Sequence, residues 1–302
     1  MTVEAEAPDP VQLLERLLGV LDLRPKGVDD GGQDVFVGDS QKQPHGRVYG
    51  GQVLGQTIMA AGLTVPRDRL VHSMHGYFLR PGDDREPITF AVERLRDGRS
   101  FTARRVHALQ DDRPILSMIA SFQEEAPGLD HGDEMPDVPA PEDLPTTFDL
   151  LGHIDHPAAQ YWSRGRAIDV RHVQRPVYWQ ADDDRRARQA VWIRTVAPIP
   201  SDDPLLHRAV LAYASDYTLL ESVLRRHGVT WATPGLKPAS LDHAMWWHRP
   251  ARADEWLLYV QTSPSASGAR GLGAGRMFTQ DGRLVASVAQ EGMLRLPTAS
   301  LP

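Results

Sequence analysis

The chain repeats itself, and a repeat confines the fold to two copies of one unit. Displaced by 169 residues, Tyr77, Phe78, Arg80 and Pro81 fall on Trp246, Trp247, Arg249 and Pro250, and DDRPILSMIA (111–120) falls on QDGRLVASVA (280–289). Upstream, Tyr49-Gly50-Gly51-Gln52 lies on Tyr213-Ala214-Ser215-Asp216 at a different offset, which a longer loop explains. Chance supplies any one of these matches more easily than their common order. Each copy places a helical pattern before a ladder of strands. VYGGQVLGQTIMAAG (48–62) reads as a helix entered through glycines, and RLVHSMHGYFLR, PITFAVERL, SFTARRVHAL and PILSMIASFQ follow as strands. In the second copy AIDVRHVQ and QAVWIRTV are strand-like. HRAVLAYASDYTLLESVLRRHG (207–228) is predicted as one helix ending in Arg225, Arg226, His227 and a C-cap Gly228, and more strands run to residue 296. The fold class is α+β: two similar halves, each a long helix against a mostly antiparallel sheet, able to join edge to edge.

Residues 10–21, PVQLLERLLGVL, start after Asp9 and place Leu13, Leu14, Leu17, Leu18 and Leu21 at helical spacing, which predicts a docking helix. The stretch 124–145 holds five prolines among many acids and predicts a solvated linker. The expected division is an N-terminal half over 1–123, a linker over 124–165 and a C-terminal half over 166–302.

Composition removes several function classes. A net charge of −7 with scattered arginines offers no basic field for nucleic acid. The absence of cysteine removes thiolate nucleophiles, disulfides and Cys-based metal sites. His72 and His75 face opposite ways on a strand, and GLGAG (271–275) precedes a strand-like segment instead of a helix, so neither a metal pair nor a dinucleotide loop is expected. The acidic N-terminus is unlike a secretory leader and no apolar run approaches about 18 residues, so a cytoplasmic protein without a membrane span is expected.

Within the second copy one residue stands out. Read on a helix, Asp216 has Ala209, Ala212, Tyr213, Leu219, Leu220 and Val223 as its neighbours, so an acid occupies the apolar stripe. An unpaired buried carboxylate costs several kcal/mol or keeps its proton, so this one needs partners or a task. Its counterpart is Gln52. Gln290 shares a strand face with Leu284, Ala286 and Val288, which directs its amide to the core where the first copy has Ser121. Ser240, opposite Val71 in the repeat, lies so near a strand start that its facing is open. Asp242 and His243 are adjacent on a strand, point to opposite faces, and are read as structural. Arg104, Arg105 and Arg270 carry no assigned role.

YGGQVLGQTIMAA, VHSMHGYFLRPGD, SFTARRVHALQ and PILSMIASFQ, with YASDYTLL, SLDHAMWWHRP, EWLLYVQTSPSASGARG and LVASVAQEGMLR, closely resemble the bacterial acyl-CoA thioesterase II family over nearly the whole chain. That resemblance implies a double-hotdog fold, hydrolysis of fatty acyl-CoA without a cofactor, homo-oligomers, and an Asp, Thr or Ser, and Gln trio. The trio maps to Asp216, Ser240 and Gln290. A carboxylate in a partly apolar site can act as general base toward water, while a neutral amide and hydroxyl hold that water. N–H donors for the oxyanion are sought at Gly50, Gly51 and Ser215. Two alternatives remain at this point. A hydratase of the same double fold uses an Asn-Pro motif, and this chain has no asparagine; an acyl-CoA-binding protein without turnover would need no intact trio.

Overall fold

A computed structural model describes residues 9–297; the first eight residues, most of the acidic N-terminus, and residues 298–302 lie outside the described residues. Helix α1 (Pro10–Leu21) forms where predicted, with the Asp9 carboxylate accepting from the Val11 N–H and Pro10 in the first turn. It buries Leu13, Leu14, Leu17 and Leu21. A hairpin follows, β1 (Arg24–Val28) and β2 (Asp34–Gly38), then α2 (Gly50–Gly62) and strands β3 (Arg69–Phe78), β4 (Ile88–Asp97), β5 (Phe101–Gln110) and β6 (Arg113–Glu124).

The segment predicted as a solvated linker is exposed over most of 125–140, yet it is pinned to the protein. Trp192 donates its indole N–H to the Pro139 carbonyl at 2.9 Å, and Arg249 and Arg276 pair with Asp130 and Asp133. Met135, Val138 and Leu144 pack on a small core of Ala190, Trp192, Trp256, Leu258 and Phe278. Two short helices, α3 (Thr147–Leu151), closed by a Thr146–Asp149 capping box, and α4 (Pro157–Arg164), finish the connection.

The second half contains β7 (Ile168–His172), β8 (Arg188–Thr195), α5 (Pro204–Ser215), α6 (Glu221–His227), β9 (Lys237–Ser240), β10 (Asp242–Trp247), β11 (Leu257–Ser267), β12 (Arg270–Thr279) and β13 (Leu284–Arg295). Among the described residues every strand joins one sheet, in the order β1-β2-β4-β5-β6-β3-β10-β13-β12-β11-β8-β7, with β9 on β13. The order reads as a palindrome of the repeat, hinged between β3 and β10. There the two halves pair antiparallel, with Met74 opposite Met245 and His75 opposite Ala244. The edge-to-edge junction expected of the halves is this one, and helices α2 and α5 of the two halves pack on each other. Helices α2 and α5 cross closely because Gly51 lacks a side chain: a Cβ there would lie 2.2 Å from the Tyr213 carbonyl oxygen.

The predicted single helix over 207–228 is corrected by the structure. It breaks at Asp216, and residues 216–220 form turns before α6. Two carbonyls that a continuing helix would use are taken elsewhere. Tyr49 donates its hydroxyl to Tyr213 O at 2.9 Å, and Tyr259 donates to Ser215 O at 3.1 Å. The predicted end holds, with Gly228 left-handed at φ 62°.

Candidate active site

The break is what presents Asp216. As the C-cap of α5 it no longer lies along a helix flank, and its carboxylate meets side chains from two strands and the start of another helix. Gln290 on β13 donates through Nε2 to Asp216 Oδ1 at 2.7 Å and to Ser240 Oγ at 2.6 Å. Ser240, the last residue of β9, donates to the same Oδ1 at 3.3 Å. The fourth contact comes from the other half: the Gly51 N–H at the start of α2 donates to Asp216. A methyl group at Gly50 would sit 2.6 Å from Oδ2, so that glycine keeps the second oxygen clear beside the Phe78 ring. The positive end of α2 therefore faces the carboxylate.

Burial pushes the Asp216 carboxyl up from its ordinary 3.8 to about 6, against the opposing pull of the Gln290, Gly51 and Ser240 hydrogen bonds. Desolvation wins because none of the three donors carries a full charge. The result is a carboxylate that is mostly ionised at neutral pH and basic enough to take a proton.

Behind Gln290 lies His243, fully buried, with Nδ1 3.2 Å from Gln290 Oε1 and Nε2 2.9 Å from Ser215 Oγ. Burial lowers its pKa to about 4, so the ring is neutral at pH 7. Because Oε1 only accepts, the network assigns the ring proton to Nδ1. That bond turns the Gln290 amide so that both its N–H groups face Asp216 and Ser240. A second buried network anchors the turn itself. Gln261 donates to Thr218 Oγ1 at 2.6 Å, Gln189 bridges Gln261 and Glu221, and Glu221 pairs with His172 at 3.0 Å. Gln52, the counterpart of Asp216, spends its amide on Gln41 N–H, the Asp39 carbonyl and Gln56, and so builds no second site.

The residues 166–293 match the sequence model described as acyl-CoA thioesterase, and 39–123 match that described as the acyl-CoA thioesterase N-terminal domain. Acyl-CoA thioesterase 2 of Haemophilus influenzae is 37% identical over 267 residues, covering 86% of this chain and 92% of that protein. The chain belongs to the acyl-CoA thioesterase family. The crystal structure of the acyl-CoA thioesterase II TesB2 from Mycobacterium marinum superposes with a TM-score of 0.75 at 43% identity, over 95% of this chain and all of that one. A hot dog fold protein from Alicyclobacillus acidocaldarius, 20% identical, gives 0.73 over 94% of this chain and 99% of its own. The double-hotdog architecture expected from the resemblance is thus the fold of this family member.

Of the residues singled out in the sequence, Asp216, Ser240 and Gln290 converge, and Gly50 and Gly51 join them from α2. Ser215 lies at the site, but its Oγ sits 2.8 Å from Ala212 O and 2.9 Å from His243 Nε2, to which it donates in the assigned tautomer, away from the carboxylate. Arg104 is buried against Thr64 and Asp97, and Arg105 and Arg270 pair with Glu93 and Glu291. The orienting contact of His243 escaped sequence reasoning, although its apolar repeat counterpart, Met74, was a signal of a core-facing position. Among the described residues no three His, Asp or Glu side chains converge as metal ligands, and no helix is long and apolar enough to cross a membrane.

Proposed function

We propose that the chain hydrolyses medium- to long-chain fatty acyl-CoA to free fatty acid and CoA, with Asp216 as general base and Ser240 and Gln290 placing the water. Family membership supports the thioester substrate. The single observation that supports these residues is the Asp216 carboxylate, raised toward neutrality and held by three uncharged donors, with Gln290 and Ser240 both on Oδ1. Water attacks the thioester carbonyl carbon as Asp216 takes its proton; the tetrahedral intermediate then expels the CoA sulfur, which recovers that proton from Asp216. No bond forms between protein and acyl group. Gly50 N–H, at the positive end of α2, is the donor we assign to the developing oxyanion. A cytoplasmic homo-oligomer belongs to the same reading.

The test measures CoA thiol release across a ladder of acyl-CoA chain lengths for the native chain and Asp216→Asn. Turnover should fall by about a hundredfold to ten-thousandfold, the range a general base contributes, while acyl-CoA binding persists. Unchanged turnover in the variant would remove Asp216 from the mechanism; binding by the native chain without thiol release would mark a non-catalytic binder.

A further inference from the structure

We propose that the cavity beside Tyr49 and Tyr217 is an anion subsite in which Arg166 binds a phosphate or carboxylate carried by the acyl-CoA ester, an inference that rests on the thioesterase reading. The cavity holds about 360 Å³ and is lined by Gln43, His45, Tyr49, Tyr161, Arg166 and Tyr217 among others. No carboxylate lines it, although acids outnumber bases in this chain.

Arg166 differs from the two most deeply buried arginines. Arg104 has Asp97 and Arg225 has Asp182, as buried cations ordinarily require. Arg166 has no carboxylate partner among the described residues, and its Nε and Nη1 are buried with no acceptor at hydrogen-bond distance, the Tyr178 hydroxyl being the polar group beside the guanidinium. What holds it are ring faces: its guanidinium carbon is 4.2 Å from the Tyr217 centroid, 5.8 Å from Trp162 and 5.9 Å from Tyr161. Stacking satisfies the charge from above but supplies no acceptor to the in-plane N–H groups. A guanidinium edge bordering the cavity fits two oxygens of a phosphate or carboxylate.

Its position ties the cavity to the site. Tyr217 follows Asp216 and Tyr49 precedes Gly50, and their rings stack at 4.7 Å with 14° between planes. Both line the cavity, and the pKa of the Tyr49 phenol is raised by burial and, next, by the Asp216 charge. An acyl-CoA ester brings anions of two origins: the phosphates of CoA, and a carboxylate at the far end of the acyl chain when that chain is dicarboxylic.

The experiment compares kcat/KM of the native chain, Arg166→Gln and Arg166→Lys on three thioesters: decanoyl-CoA, the CoA monothioester of decanedioic acid, and decanoyl-N-acetylcysteamine, which lacks phosphates. Loss of the paired N–H fork should reduce kcat/KM by about tenfold or more, mainly through KM. A loss on both CoA esters that spares the cysteamine ester assigns the subsite to a CoA phosphate. A loss confined to the decanedioic ester assigns it to the distal carboxylate. Arg166→Lys keeps the charge and should show the same substrate pattern, which separates a lost fork from a lost fold. An equal ratio of variant to native on all three substrates overturns the subsite alone; no turnover of any of them by the native chain removes the thioesterase reading with it.

Discussion

Replacing Asp216 by asparagine should make the protein more stable at neutral pH while it becomes inactive. The folded chain raises this carboxyl from 3.8 to about 6. Between those values the folded state holds a proton that the unfolded state has released, so stability falls as pH rises through this window and stays reduced above it. About two units correspond to about 3 kcal/mol of stability forgone at pH 7. One edge of Asp216 reaches the surface, so this is an upper figure. Asparagine is neutral at every pH, and its carbonyl can still accept from Gln290 and Ser240, which share one oxygen in the native chain. Urea unfolding of both proteins at several pH values between 4 and 8 gives the difference in stability, and other titrating groups cancel. The variant's advantage should be smallest near pH 4 and should grow to between about 1 and 3 kcal/mol above pH 6.5. A variant less stable than the native chain at pH 7, or an advantage that grows toward acid, would refute the reasoning.

The same ionisation should appear in catalysis: kcat/KM rises with pH through about 6, and at pH 5 only about a tenth of Asp216 is ionised and active. In Gln290→Leu the lost hydrogen bond to the carboxylate, worth about 1.5–3 kcal/mol, should move the residual activity's midpoint upward by about one to two units; a midpoint that stays or falls would contradict the cause assigned here. Gly51→Ala should destabilise the fold by about 1–3 kcal/mol or more, on the order of an overpacked core, since its methyl meets the Tyr213 carbonyl at 2.2 Å. Thermal unfolding checks this, and a melting point equal to that of the native chain would show that the α2–α5 crossing yields easily.

The strand ladder and its duplication were legible because alternation and repetition are properties of neighbouring residues. Hairpin β1–β2 was not, since RPKGV is exposed at every position and carries no alternation; it exists by pairing onto β4. The break at Asp216 was hidden because its cause lies far away in the chain, in the hydroxyls of Tyr49 and Tyr259. An unbroken apolar pattern such as AYASDYTLL gives no sign that two carbonyls will be claimed from outside. Asp216 and Gln290 were nevertheless identifiable, as polar residues on faces that are otherwise apolar. His243 was read as structural on facing alone, and its hold on Gln290 needed the distance between two strands.

The contact from Gly51 across to Asp216 makes neither half sufficient. A severed C-terminal portion would retain all three candidate side chains and still lack the amide and the helix end that complete their surroundings. Covalent fusion also permits an asymmetry closed to identical partners. In a symmetric pair any substitution arises at both related positions, whereas here one position could be given over to Gln52 and packing while its twin kept an acid.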